Sequence, residues 1–154
     1  MQTSTVSEVP KPLILHMDDE VGARLPLEGN LEPKYEYIGT DSRMRVMGVL
    51  WDRRRDLALI LVDQNMSPEK GSEIIPKIIE TLEKLKRIDP AAYARRPPVV
   101  LCSSEDDSTL ANLVRMCGAD GYLSKGLLSG SDERIELFYR RIDEYAQGGD
   151  KKSA

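Results

Sequence analysis

Short runs of apolar residues alternate along this chain with segments in which apolar residues recur every three or four positions. Five runs predict strands, at 13–17, 35–40, 57–62, 99–102 and 121–124. Apolar runs of this length between amphipathic segments are typical of a parallel sheet that is covered on both faces. The pattern therefore predicts an α/β fold: a doubly wound, five-stranded parallel sheet with helices on both faces.

The segments between the strands predict the helices, and the clearest stripe runs from Ile74 to Leu85. A second stripe follows Asp41, which can cap it, and contains Met44, Met47, Leu50 and Trp51. Further stripes lie at 110–117, which Gly118 can terminate, and at 135–145. Each of these segments is expected to place its apolar side against the sheet.

The segment after the first strand departs from this regularity. Its helix-disfavouring residues are Gly22, Pro26, Gly29 and Pro33. We therefore expect the first helix to be short or irregular, with leucines of the same segment filling the sheet face beneath it. Those leucines are Leu25, Leu27 and Leu31.

Length and composition predict one soluble domain. The 154 residues suit a single core, with a flexible lead-in at 1–11, the domain at 12–147 and a disordered tail at 148–154. The sequence contains neither an apolar run of the roughly 18 residues that a membrane helix needs nor a signal-peptide pattern. Cys102 and Cys117 lack the spacing of metal ligands and are expected to be free thiols. We expect a cytoplasmic protein without a membrane partner.

The charge pattern adds little to this. A net charge of −4 argues weakly against nucleic acid as a partner. The basic run 53–55 is a single short cluster, so we interpret it as a solvated helix end rather than a phosphate clamp.

Polar residues at the ends of the predicted strands carry the candidate chemistry. Asp18 and Asp19 follow the first strand, Asp63 the third, Ser103 the fourth and Lys125 the fifth. Because the carboxyl ends of parallel strands meet at one edge of a sheet, these side chains converge there. Three carboxylates in one place attract a hard divalent cation, and Mg²⁺ is the natural candidate. A hydroxyl and an ammonium can bind a phosphoryl group, so the pattern indicates reversible phosphorylation of an aspartate.

The chain resembles the receiver domains of two-component response regulators. The resemblance rests on LHMDDE at 15–20, LVDQNM at 61–66 followed by Gly71, PVVLCSS at 98–104 and GADGYLSK at 118–125. It implies a CheY-like, flavodoxin-like fold with strand order 2-1-3-4-5, in a stand-alone domain of bacterial type.

The resemblance assigns the phosphorylation chemistry residue by residue. Asp63 would accept a phosphoryl group from a histidine kinase, a histidine phosphotransfer protein or a small phosphodonor. Asp19 and Asp63 would ligate Mg²⁺ directly, Asp18 would do so through water, and the backbone carbonyl of Asn65 would complete the protein ligands.

The resemblance also assigns the switch. Ser103 would move to hydrogen-bond the phosphoryl group, and Lys125 would pair with a phosphoryl oxygen. Tyr122 occupies the position of an aromatic residue that would rotate inward on activation, although a plain strand tyrosine is an equally good interpretation of it.

Output would then come from contact with another protein, by a monomer or a weak homodimer. An alternative is a pseudo-receiver, an interaction module that works without phosphorylation. The acid, serine and lysine set argues against it, and the irregular segment at 21–33 argues for it. An aspartyl phosphatase would want an acid where Asn65 stands, so we expect a phosphoacceptor switch rather than an enzyme.

Three further features of the sequence concern the surroundings of the predicted site and one long connection. Gly126 replaces the usual proline after Lys125, so a cis peptide is less expected there and 127–130 could move. The connection at 89–98 is long and is either a partner-binding element or a neutral insertion. His16 is the single histidine and lies inside a strand, so we interpret it as a buried neutral side chain.

Two positions predict the lifetime of the phosphorylated state. Asn65 and Glu105 lie two residues after Asp63 and Ser103, where the family's side chains influence dephosphorylation, and this pair is like that of CheY. We expect phospho-Asp63 to be short-lived in buffered Mg²⁺. The rate at which protein-bound phosphate is lost measures this lifetime. A half-life of hours would contradict this prediction.

Overall fold

The computed structural model describes residues 10–92 and 95–148. Its strands are β1 (Leu13–Met17), β2 (Glu36–Thr40), β3 (Leu57–Asp63), β4 (Val99–Ser103) and β5 (Gly121–Ser124). Its α-helices are α1 (Val21–Leu31), α2 (Arg43–Asp52), α3 (Gly71–Ile88), α4 (Asp107–Cys117) and α5 (Asp132–Ala146). Short 3₁₀ helices lie at Pro90–Ala92 and Lys125–Ser129. The predicted lead-in and tail fall mostly outside the described residues.

The five strands form one parallel sheet in the order β2-β1-β3-β4-β5, which confirms the predicted fold class. The three inner strands β1, β3 and β4 are almost wholly buried, as strands covered on both faces must be. One apolar layer joins the sheet to α2, α3 and α4. The other joins it to α1 and α5.

The first helix is short, as expected, with 11 residues. It runs without a break across Pro26. Leu27 and Leu31 are buried against the sheet as expected, whereas Leu25 is 59% exposed. Packing of an apolar face outweighs weak local propensity, and Asn30 donates a hydrogen bond to the Pro26 carbonyl at 2.7 Å within the helix.

The second helix also differs in detail from its predicted form. Ser42, not Asp41, caps it, because the Ser42 hydroxyl accepts a hydrogen bond from the Arg45 N–H. The buried residues are Val46, Val49 and Leu50. Met44 and Trp51 are exposed. The true stripe is thus rotated around the helix from the predicted one, and only Leu50 is buried in both. In α4, by contrast, Gly118 ends the helix in the left-handed conformation, as expected.

The basic run at 53–55 lies at the end of α2, as expected, and its partly exposed side chains also form ion pairs. Arg53 makes a two-pronged contact with Glu36 and also binds Asp56. Arg54 and Arg55 both bind Asp89, the residue that follows α3. The ion pairs of Arg54 and Arg55 hold Asp89, where the long connection at 89–98 begins, against the loop between α2 and β3.

The other end of that connection is also held in place. Arg96 contacts Glu83 of α3 and both carboxylate oxygens of Asp120. Whether the connection binds a partner stays open, and its residues 93–94 lie outside the described chain. After β5, residues 127–129 of the segment that was expected to move belong to a 3₁₀ helix. The Lys125–Gly126 peptide is trans, as the absence of a proline there predicts.

The turn from β3 into α3 requires a glycine. Gln64 prepares the helix start, since its side-chain oxygen accepts the Ser72 N–H at 2.8 Å and its carbonyl accepts the Gly71 N–H. A Cβ on Gly71 would lie 2.3 Å from the backbone oxygen of Asp63 and 3.0 Å from the Gln64 Cα. Gly71 therefore allows α3 to begin directly against the end of β3.

We expect Gly71→Ala to lower the free energy of unfolding by about 1–3 kcal/mol, because backbone must move to admit the methyl group. Urea unfolding at neutral pH measures this change. The matched control is Gly48→Ala in α2, where a Cβ would meet no atom within 4 Å. That variant should gain about 0.4–1 kcal/mol. Equal stabilities for the two variants would contradict the proposed close approach at Gly71.

Candidate functional site

The carboxyl ends of the strands bring the predicted polar residues to one edge of the sheet. Asp63 and Ser103 end β3 and β4, Asp18 follows β1, and Lys125 follows β5. Asp18, Asp63 and Ser103 are buried, while Asp19 faces solvent. The convergence predicted from the strand ends is therefore present.

Lys125 connects the two buried carboxylates. Its Nζ lies 2.7 Å from Asp18 Oδ2 and 2.8 Å from Asp63 Oδ1. Asp18 and Asp63 are 0% and 3% exposed, so neither can rely on water for its solvation. A buried carboxylate needs a paired charge and hydrogen bonds, and one ammonium supplies these to both.

The two acids nevertheless differ in electrostatic setting. Burial by itself would raise the pKa of the Asp18 carboxyl, but the nearby His16 ring and the hydrogen bonds from Lys125 and the Glu20 N–H outweigh it and lower this pKa to about 2. Burial dominates at Asp63 and raises the pKa of its carboxyl, with Lys125 offsetting only part of the effect. Burial would lower the pKa of the Lys125 ammonium, yet its two carboxylate partners raise it above the usual value.

The acids also fit a metal ion. One carboxylate oxygen each from Asp18, Asp19 and Asp63 can lie within 4.8 Å of the others. Three hard oxygen donors, two of them buried and one open to solvent, match the needs of a small divalent cation that keeps some of its water. The residues at this edge are therefore able to hold a metal ion.

Ser103 lies among hydrogen-bond donors. Its Oγ accepts from the Asn65 side-chain amide at 3.4 Å and from the Glu105 backbone N–H at 3.3 Å. Both contacts use the oxygen lone pairs, so the hydroxyl proton is free to donate. Asn65 thus joins the site through its side chain, whereas Glu105 contacts Ser103 only through its backbone.

Tyr122 occupies β5 beside the site. Its side chain is half-buried and packs against the apolar layer of α2, α3 and α4. Its backbone carbonyl accepts a hydrogen bond from the Tyr145 hydroxyl of α5 at 3.4 Å. The rotation of Tyr122 on activation stays a prediction.

Sequence reasoning missed two groups that contact Asp18. His16 is buried as expected, but its Nε2 lies 3.6 Å from Asp18 Oδ2. Arg24 of α1 donates to the backbone carbonyl of Asp18. The two-residue spacing between His16 and Asp18 was the available signal, while Arg24 could be placed only once α1 was known to be a helix.

Comparisons with known proteins decide the family. No family model matches the chain. Over 139 residues it is 33% identical to the two-component response regulator ORR3 of rice, Oryza sativa, covering 88% of this chain and 95% of that protein. The chain belongs to the two-component response regulators. This confirms the resemblance that its motifs carry.

Solved structures agree on the fold. The chemotaxis protein CheY4 of Vibrio cholerae has a TM-score of 0.63 at 18% identity and covers 86% of this chain and 98% of its own. The receiver domain of Ssk1 from Saccharomyces cerevisiae, co-crystallised with the histidine phosphotransfer protein Ypd1, has a TM-score of 0.65 at 16% identity, covering 91% of this chain and 92% of that one. This response regulator therefore has the receiver fold.

The curated relative comes from rice, so the expected bacterial source of this chain stays a prediction. No described helix of the receiver is both long and apolar enough to cross a membrane.

The raised pKa of Asp63 predicts an effect on stability. A folded-state pKa above the unfolded one means that the charged carboxylate opposes folding as the pH rises through it. We expect Asp63→Asn to have a higher free energy of unfolding than the wild type at neutral pH. This advantage should shrink as the pH falls and wild-type Asp63 becomes protonated. Urea unfolding at neutral and acidic pH measures both quantities.

Asp18→Asn is the matched control, because Asp18 has the opposite shift. Its lowered pKa contributes about 2 kcal/mol of stability above pH 3.8, which is lost as the pH falls towards about 2. Asp18→Asn should therefore be less stable than the wild type at neutral pH. Changes of the same sign in both variants would contradict the assigned difference between the two acids.

Proposed function

We propose that this response regulator accepts a phosphoryl group on Asp63 in a Mg²⁺-dependent reaction and signals through contact with another protein. The observation that carries the proposal is the position of Asp63 at the end of β3, bonded to Lys125 and within reach of two further carboxylates. In this proposal the domain is a phosphoacceptor switch and not an enzyme that turns over an external substrate.

The chain's own residues supply most of the chemistry. A carboxylate oxygen of Asp63 attacks the phosphorus, a new P–O bond forms, and the donor leaves with the electron pair of the broken bond. Lys125 then leaves both of its carboxylate partners, Asp18 and Asp63, for a phosphoryl oxygen, and Ser103 donates its free hydroxyl proton to another. Bound Mg²⁺, held by Asp18, Asp19, Asp63 and the Asn65 carbonyl, would neutralise charge on the phosphoryl oxygens.

The same site offers a route to dephosphorylation. The Asn65 amide lies next to Ser103, where it can orient a water molecule towards the phosphorus. Glu105 is half-buried and donates its backbone N–H to Ser103 Oγ. Both positions support the short-lived phosphorylated state expected from the sequence.

The pseudo-receiver alternative loses its main argument. It depended on a broken segment at 21–33, yet α1 is a continuous helix. Asp18, Asp63 and Lys125 also form an intact bonded cluster. We therefore favour the phosphorylated switch.

The helix α1 also suggests where the phosphodonor docks. Val21 and Leu25, one helical turn apart, are 55% and 59% exposed and follow directly from the Asp18–Asp19 end of β1. Exposed apolar side chains beside a reacting site are suited to partner contact. Since the receiver of Ssk1 binds a histidine phosphotransfer protein, we propose a donor of that class, or a histidine kinase, on this face.

Incubation with acetyl phosphate and Mg²⁺, followed by intact mass, tests the phosphorylation. We expect the mass of one phosphoryl group on the wild type and none on Asp63→Asn. Beryllofluoride with Mg²⁺ should change the emission of Trp51 or of the tyrosines in the wild type only. An unmodified wild type, or equal modification of Asp63→Asn, would contradict the proposal.

Leu25→Glu tests the docking face. We expect phosphotransfer from a histidine phosphotransfer protein to slow at least about ten-fold, since a charge enters an apolar contact, while acetyl phosphate still modifies Asp63 normally. Met116→Glu on α4 is the control, because Met116 is 81% exposed on the opposite face of the sheet. Equal transfer rates for the two variants would place the donor elsewhere.

A further inference from the structure

His16, the single histidine of the chain, lies in a polar arrangement that the proposed chemistry does not yet use. Its Nδ1 is 2.6 Å from the Tyr37 hydroxyl, and its Nε2 is 3.6 Å from Asp18 Oδ2. Within the described residues, this Nε2 is the one buried side-chain nitrogen or oxygen without a hydrogen-bond partner. Buried polar atoms are normally paired, so the exception calls for a physical reason.

The contact between His16 and Tyr37 depends on a gap in the neighbouring strand. His16 of β1 is paired in register with Gly39 of β2. Tyr37 stands two residues before Gly39, so both positions face the same side of the sheet. A Cβ on Gly39 would lie 2.7 Å from the Tyr37 hydroxyl. The missing side chain at 39 therefore leaves the space through which Tyr37 reaches the ring.

The contact with Asp18 decides which nitrogen of a neutral ring carries the proton, because the Tyr37 hydroxyl can donate or accept. An ionised Asp18 is only an acceptor, so a lone pair on Nε2 would face another lone pair. Nε2 therefore carries the proton in the neutral ring, and Nδ1 accepts from the Tyr37 hydroxyl. Burial raises the pKa of Tyr37, so this hydroxyl keeps its proton at neutral pH.

The oxygen that faces Nε2 is also the oxygen that Lys125 holds. Lys125 Nζ lies 2.7 Å from Asp18 Oδ2. In the phosphorylated state proposed above, Lys125 pairs with the phosphoryl group. Asp18 Oδ2 would then lose its bond to the ammonium while remaining buried, and His16 Nε2–H is the adjacent donor that can replace it.

We propose that His16, oriented by Tyr37, is a positioning residue that hydrogen-bonds Asp18 Oδ2 when Lys125 leaves it for the phosphoryl group. The 3.6 Å separation then closes to roughly 2.9 Å, which a small side-chain rotation provides. His16 thereby keeps the Asp18 carboxylate directed towards the cation while the lysine is engaged elsewhere. This inference rests on the proposed phosphorylation of Asp63.

Ring ¹⁵N and ¹H NMR of the wild type tests the proton position and its change. A single histidine gives one unambiguous set of imidazole signals. We expect a neutral ring protonated at Nε2, with the Nε2–H proton moving downfield when beryllofluoride and Mg²⁺ are added. Tyr37→Phe removes the hydrogen bond at Nδ1 and should shift the Nδ1 signal, whereas the control Tyr139→Phe, half-buried on the same side of the sheet, should leave it in place.

Matched variants of His16 separate positioning from packing. His16→Met keeps the bulk of the side chain but has no hydrogen-bond donor. We expect this variant to bind beryllofluoride about ten-fold more weakly in Mg²⁺. Loss of a hydrogen-bond partner of a metal ligand typically has at least this effect. His16→Gln carries an N–H at the matching distance along the side chain and should retain most of the affinity. Affinity is read by calorimetry, with thermal unfolding of each variant as the check on folding.

The outcomes distinguish the two proposals. A wild type that does not bind beryllofluoride would overturn both the phosphorylation of Asp63 and the role of His16. Normal binding with an unchanged His16 spectrum, a ring not protonated at Nε2, or equal affinities for His16→Met and the wild type would overturn only the role of His16. Equal losses in His16→Met and His16→Gln would assign the ring to packing and also overturn it.

Discussion

The ammonium of Lys125 between two buried carboxylates is the interaction on which the site depends. Asp18 and Asp63 have almost no contact with water, and two negative charges this close repel each other unless a cation lies between them. Lys125 provides that cation from β5, while the acids come from β1 and β3. One ion cluster thus joins three strand ends that are distant in the sequence.

The sheet order explains why these ends meet. Because β1 and β3 are neighbours, Asp18 and Asp63 emerge side by side, and β4 and β5 bring Ser103 and Lys125 from the adjoining half. Gly71 then lets α3 begin against the backbone of Asp63. The apolar layers on both faces fix the strands, so the charged groups inherit their geometry from the core. In the proposed switch, moving the lysine to a phosphoryl group would change the balance of charge at the edge of this sheet.

Much of this could be predicted from the sequence, because its strongest signals are local. Apolar runs identify buried strands, and an acid at the end of such a run is conspicuous. The form of α1 was less accessible, since glycine and proline propensities are local while the burial of Leu27 and Leu31 is a tertiary effect. The rotated stripe of α2 was missed for a related reason: Val46 and Val49 pack inside, although methionine and tryptophan looked equally apolar.

Contacts between strands and loops were beyond prediction. The approach of Tyr37 to His16 needs the register of β1 against β2 and the gap at Gly39. The ion pairs of Arg54 and Arg55 with Asp89 join residues 34 and 35 positions apart. No periodicity in the sequence encodes either pairing, because each is set by how the elements pack.

The central role of the lysine is tested most directly by comparing two proteins, Lys125→Met and the wild type. The quantity compared is the gain in unfolding free energy when Mg²⁺ is added. Removing the ammonium leaves two buried carboxylates uncompensated, at a cost of about 3–5 kcal/mol, and makes the divalent cation their remaining counter-charge. Ligand binding to the folded state adds stability in proportion to its affinity. In urea unfolding at fixed ionic strength, Mg²⁺ should therefore stabilise Lys125→Met more than the wild type. An equal or smaller gain in the variant would contradict the account.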